Sequence, residues 1–211
     1  MANTALAASV QTLSRLAARF EVRSGTPGLW TLARGGITEI LGEMSSGRTA
    51  MAQWMLANAT QGGEVAAVVD CDDAFDPGSA RKAGVDLAKL LWVQCGHRLE
   101  IALKATDLIL HSGGFGLVLL DLGDMHSSIL QRIPGSYWYR FQRALEHTPS
   151  ALVIVARQPV ARSCSIRQIA FQQQRLCWRG CPPFQTIERL ELQAVSQKPM
   201  SGVPLPLEVA G

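Results

Sequence analysis

The stretch Ile37-Thr38-Glu39-Ile40-Leu41-Gly42-Glu43-Met44-Ser45-Ser46-Gly47-Arg48-Thr49 constrains this chain more than any other. An apolar, β-rich run leads into Gly42, four residues separate Gly42 from Gly47, and Thr49 opens a stretch of helical periodicity. A strand, a glycine-rich turn and a helix start in that order aim backbone N–H groups at one point, which is how phosphates are cradled. Position 48 departs from the pattern, because arginine stands where phosphate loops carry lysine. An ammonium is a compact charge, whereas a guanidinium is longer, planar and forked. The segment predicts a nucleotide site built from Gly42, Glu43, Met44, Ser45, Ser46, Gly47, Arg48 and Thr49, with hydrolysis weak or absent. The rival reading is a loop that binds nothing, with Arg48 bonding neighbouring carbonyls or a carboxylate such as Asp121.

With 211 residues and 47% hydrophobic side chains, the chain can bury one sizeable α/β core. No apolar run approaches the roughly 20 residues of a membrane span. Residues 4–20 read as a helix with Leu13, Leu16, Ala17 and Phe20 on one face. They carry no leader pattern, so a cytoplasmic, membrane-free protein is expected. Its five scattered cysteines suit a reducing compartment. Cys177 and Cys181, with Cys164 nearby, invite a zinc reading, but no histidine follows His147 and no zinc is expected. The other histidines (His97, His111 and His126) are isolated, and like His147 they read as surface or capping residues.

Charge is unevenly placed. Six carboxylates fall between Glu64 and Asp86, and none falls between His147 and Ile187. That second stretch carries Arg157, Arg162, Arg167, Arg175 and Arg179, a set suited to single-stranded DNA or an acidic partner. A solvated face in an arginine-rich chain (16 arginines to four lysines) is the plain alternative.

Periodicity places helices at 48–60, 79–84, 99–110 and 135–147, and strands at 65–69, 90–94, 117–121 and 151–156. Alternation at 174–179 and 188–195 predicts antiparallel edge strands. The continuous run Leu117-Val118-Leu119-Leu120 is that of a strand buried on both faces, and it ends in Asp121. The order predicts a three-layer α/β domain, with a mostly parallel central sheet and an antiparallel C-terminal extension. Residues 1–30 are expected as helix and connector, 31–198 as core and 199–211 as a flexible tail.

Several of these segments, taken in order and spacing, resemble the RecA recombinase family. Glu43 to Thr49 is similar to that family's phosphate loop. Val69-Asp70-Cys71-Asp72-Asp73-Ala74-Phe75-Asp76-Pro77 is similar to the segment after its second strand, and Ala80 to Asp86, Leu90-Leu91 and Gln94 continue the match. Leu117 to Asp121 resembles its aspartate-bearing strand, and Arg175-Leu176 and 189–198 its closing sheet. The resemblance implies a RecA-like P-loop domain binding ATP and magnesium, with Thr49 and Asp121 holding the metal. By position, Asp72 replaces the family's water-activating glutamate. One methylene fewer retracts the carboxylate by about 1.5 Å, which matters to general-base geometry. Arg157-Gln158 stands where the family has its γ-phosphate sensor, so Gln158 fits with an offset of one residue. The DNA-binding loops, within 124–136 and at about 159–168, are short, and the family's C-terminal DNA-gathering domain is not expected.

Among RecA relatives, the chain is most similar to the ImuA family of accessory mutagenesis subunits. That implies a scaffold in DNA damage tolerance and translesion synthesis. Its implied partners are error-prone DNA polymerase subunits, with a RecA recombinase and single-stranded DNA as further candidates. The N-terminal helix is a candidate homo-oligomer contact. Two alternatives stay open. One is a DNA-dependent ATPase using Arg48, Thr49, Asp121 and catalytic Asp72. The other is a recombination or cell-division regulator that mimics one recombinase protomer.

Overall fold

Five residues, Ile37–Leu41, form β1, and every one of them, Thr38 and Glu39 included, is buried, which a strand achieves when other strands flank it and helices cover both faces. The computed structural model describes residues 32–179, 186–198 and 201–210, with side chains for 32–172 and 194–197. The expected N-terminal helix, and any assembly through it, lies outside the described residues.

The parallel strands are β1, β2 (Ala66–Asp70), β3 (Leu90–Gln94), β4 (Leu117–Asp121) and β5 (Ala151–Ala156). The eight-stranded sheet runs β3-β2-β4-β5-β1-β6-β7-β8. β6 (Ser165–Arg179) continues parallel to β1, while β7 (Thr186–Lys198) and β8 (Ser201–Ala210) run antiparallel beside it. The predicted antiparallel extension is therefore present.

Alternate strand residues feed two cores. Ile37, Leu41, Val118 and Leu120 pack with Leu103 and Leu110 of α3 (Leu99–Ser112) and with Trp138, Phe141 and Leu145 of α5 (Gly135–Leu145). Ile40, Leu117 and Leu119 pack instead with Met51, Met55 and Leu56 of α1 (Arg48–Gln61) and with Ala80 of α2 (Pro77–Lys82). This is the expected three-layer arrangement. A short α4 (Ser127–Leu130) sits in the loop after β4.

Two boundaries differ from expectation. β6 begins at Ser165, because Ile169 and Phe171 are buried while Ser165 to Ala170 pair with β1. The loop after β5 therefore closes before 168. Residues 201–210, expected within a flexible tail, instead pair with β7. Pro204 and Pro206 do not prevent this. Prolines two apart place their missing donors on the same side of a strand, and on an outermost strand that side can be the open one.

Candidate phosphate-loop site

Parallel strands deliver their C-terminal ends to one edge, where α/β folds build their sites. Here Leu41, Asp70, Asp121 and Ala156 end β1, β2, β4 and β5 along that edge. The loop after β1 starts with Gly42 N donating to Ala156 O at 3.2 Å, and Ser46 N donates to Glu43 O at 3.2 Å. Gly42 has φ 156°, and a Cβ there would stand 2.3 Å from Ser46 Oγ and 2.7 Å from Phe171 O. Glycine is needed at that position by both conformation and space. Ser45 (φ 61°) and Gly47 (φ 95°) are left-handed, the first at a strain cost of about 1–2 kcal/mol.

α1 follows with no side-chain cap hydrogen bond and no acid in its first turn. Its first N–H groups and positive dipole end therefore suit an anion. Ser46 Oγ is buried without a hydrogen-bond partner among the described residues, and Thr49 is exposed on the same turn.

Arg48 is only 5% exposed. Its Nη1 donates to Gly42 O at 2.5 Å and its Nη2 to Asp124 Oδ1 at 2.9 Å. This is the engagement of the rival reading, a neighbouring carbonyl and a carboxylate; the carboxylate is Asp124, three residues beyond the end of β4, where Asp121 was the example. Gly123 makes the approach possible. A Cβ there would lie 2.9 Å from Arg48 Nη2 and 3.0 Å from Asp121 Oδ1.

Asp121 itself accepts Gly123 N at 2.9 Å. Burial pushes its carboxyl up to about 6; the Gly123 N–H and Arg48 oppose this, and the Asp70 and Asp72 charges add to it. A carboxyl whose folded pKa lies above its unfolded value binds its proton more tightly when folded. Ionising Asp121 therefore costs stability as pH rises from about 4 to about 6. In magnesium-free buffer, Asp121→Asn should gain stability over the wild type across that window and keep the gain at pH 7. Urea unfolding at pH 4, 5, 6 and 7 checks this, and a difference that shrinks as pH rises refutes it.

Asp72 accepts Asp124 N at 3.0 Å through Oδ2, and its Oδ1 lies 3.8 Å from His97 Nδ1. Burial raises its pKa, against the Asp124 N–H and His97. Gly42 O, Arg48, Asp124 and Asp72 thus form one continuous polar chain. Asp70 serves local structure instead, its carboxylate accepting Ala74 N and Phe75 N at 3.0 Å and Trp92 Nε1 at 3.2 Å.

The arginine set is dispersed. Arg157 and Arg162 line one cavity of about 130 Å³ with Gln158. Arg167 sits in β6 opposite Thr38, and burial lowers its pKa. Arg175 and Arg179 lie far along β6, opposite Glu191 and Thr186, and their side chains are outside the described residues, as are those of Cys177 and Cys181. At about 3.3 Å per residue, Arg167 and Arg179 stand roughly 40 Å apart.

Sequence reasoning missed Glu39. It is fully buried in β1, accepting Val160 N at 2.6 Å, Ala161 N at 2.9 Å and Gln168 Nε2 at 2.7 Å. It ties the loop after β5 to the sheet. A carboxylate inside a short strand whose other residues are three aliphatics and a threonine was the readable signal.

The backbone of the loop fits a phosphate: two glycines at the required turns, an open helix start and an unpartnered buried hydroxyl. The side chain at the lysine position fits less well, because its guanidinium is engaged by Gly42 O and Asp124. Thr49 and Asp121 are of the right type to hold magnesium beside a bound nucleotide. No helix among the described residues is long and apolar enough to cross a membrane.

The RecA N-terminal domain model matches residues 2–125. Protein RecA of Leifsonia xyli subsp. xyli is 32% identical over 142 residues, covering 61% of this chain and 40% of its own. Protein RecA of Acidothermus cellulolyticus is 32% identical over 142 residues, covering 61% and 41%. Protein RecA of Thermus aquaticus is 31% identical over 142 residues, covering 61% and 42%. The matches span about two fifths of the length of these curated relatives.

Proposed function

Since the chain belongs to the RecA family, whose N-terminal domain matches it over residues 2–125, we propose that it is an accessory scaffold in DNA damage tolerance with weak or absent nucleotide hydrolysis. Its partners are error-prone DNA polymerase subunits, as the ImuA-like features of the sequence suggest. A RecA recombinase and single-stranded DNA are further candidates.

The observation that carries this reading is the closure of Arg48 onto Gly42 O and Asp124, with Asp124 N in turn on Asp72. The two residues that depart from the family's catalytic pattern are thereby bonded to each other's neighbourhood. A base must reach its water at about 2.6–3.2 Å, and the Asp72 carboxylate, 6% exposed, already accepts a backbone N–H. The backbone of Gly42 to Thr49 binds nucleotide phosphates weakly, and Thr49 with Asp121 takes the magnesium that accompanies them. Bound magnesium would neutralise phosphate charge. Arg48, Asp72 and Asp124 would hold the surrounding loops in place.

The open start of α1 and the unpartnered Ser46 hydroxyl favour one rival, a DNA-dependent ATPase. Phosphate release from ATP with magnesium, measured with and without single-stranded DNA, separates the two. The scaffold reading expects a rate near the blank. Magnesium-dependent release that Asp121→Ala abolishes establishes the ATPase. Co-elution with an error-prone polymerase subunit from the same genome tests the partner half, and its absence sinks that half.

A further inference from the structure

A cavity of about 130 Å³ opens between the loop after β4 and the loop after β5. Arg157, Arg162, Gln131 and Gln158 are among its lining residues, with Met125 and Leu130 as apolar members of the wall. Among the described residues, neither arginine is paired with a carboxylate. Arg157 Nε donates to Gly123 O at 3.3 Å, which orients the fork and leaves its two Nη groups for a ligand. The Val160 N–H of the wall is already engaged by Glu39, which removes that donor from an incoming anion. Arg162 is held in a left-handed conformation (φ 53°), a strained placement of a kind that gathers at binding sites.

We infer that this cavity binds an acidic side chain of a protein partner: an aspartate or glutamate carboxylate between the two forks, its apolar sequence neighbour against Met125 and Leu130. The inference rests on the scaffold reading above and names the chemistry that the partner must present. Arginine forks match carboxylates in bidentate geometry. Small-molecule sites usually exceed about 300 Å³, so this volume suits one side chain and is too small for a nucleotide. Single-strand binding sites combine an extended basic groove with aromatic platforms, and among the described residues no aromatic side chain lines this cavity.

The test is selection of a displayed random heptapeptide library on the full chain, followed by affinity measurement with the selected peptides. Enrichment of Asp or Glu beside an apolar residue is expected. Arg157→Gln/Arg162→Gln should weaken those peptides at least tenfold with an unchanged melting temperature. Should that variant fail to fold, Arg162→Lys, which keeps charge and loses the fork, should weaken them several-fold. A selection without acid-bearing peptides, or equal affinity for the variants, overturns the inference. Displacement of the peptides by an oligothymidylate whose own binding needs both arginines assigns the cavity to nucleic acid and also overturns it. A polymerase subunit retained by the double variant, with no acidic peptide selected, removes this inference and leaves the scaffold reading standing. Loss of that subunit by the wild type does the reverse.

Discussion

Glu39→Ala should lower the thermal midpoint by roughly 10 °C. The Glu39 side chain is wholly buried and receives three donors: two backbone N–H groups of the loop after β5 and the Gln168 amide. Truncation leaves those donors facing a cavity without acceptors. Each unsatisfied buried donor costs about 1–3 kcal/mol, and in a domain of this size 1 kcal/mol moves the midpoint by about 2–4 °C. Some relaxation toward solvent brings the sum to about 3–5 kcal/mol. Glu39→Gln keeps an acceptor for Val160 and Ala161 but sets one amide nitrogen against another at Gln168, so its loss should be intermediate. Calorimetry of the three proteins decides the matter. A Glu39→Ala midpoint within 2–3 °C of the wild type would mean that the loop is held by something other than this carboxylate.

Asp124→Ala should bind an ATP analogue about tenfold more tightly than the wild type. Arg48 is drawn away from the phosphate position by one carboxylate and one carbonyl. Deleting the carboxylate removes a charge-assisted hydrogen bond with a net worth of about 1.5–3 kcal/mol, and about 1.4 kcal/mol corresponds to tenfold in affinity. The guanidinium keeps its Nη1 bond to Gly42 O, and its Nη2 is then open to a phosphate beside an open helix start. The Asp124 backbone N–H to Asp72 survives the substitution, so the turn itself should persist. Equilibrium fluorescence titration with magnesium measures the change, and Arg48→Ala in the same background should cancel the gain. Unchanged or weaker binding by Asp124→Ala would show that Arg48 is not withheld from phosphate by Asp124.

The strands at 90–94, 117–121 and 151–156 were legible to the residue, because each is an uninterrupted apolar run closed by a turn or a carboxylate. β6 was read nine residues short. Its first half, Ser-Ile-Arg-Gln-Ile-Ala-Phe-Gln-Gln, mixes polar residues into both faces, and its place in the sheet comes from pairing with β1, a segment more than a hundred residues earlier. The glycine-rich turn from Gly42 to Gly47 and the helix start after it were legible because their conformation is local. The Arg48–Asp124 pair was not, since it joins residues 76 apart whose meeting depends on where the ends of β1 and β4 stand along the sheet. Position 123 gave no warning either, because glycine there matters only once the Arg48 side chain is known to fold across it.

β6 belongs to two structures at once. Its residues up to Ala170 are paired with β1, and those from Phe171 onward pair with β7 alone. The strand is therefore a lever whose fulcrum is the change of neighbour at Phe171. That carbonyl lies 2.7 Å from where Gly42 would carry a Cβ. A partner seated on β7 or β8 would therefore hold the strand whose Phe171 carbonyl sits against Gly42, the first residue of the loop after β1.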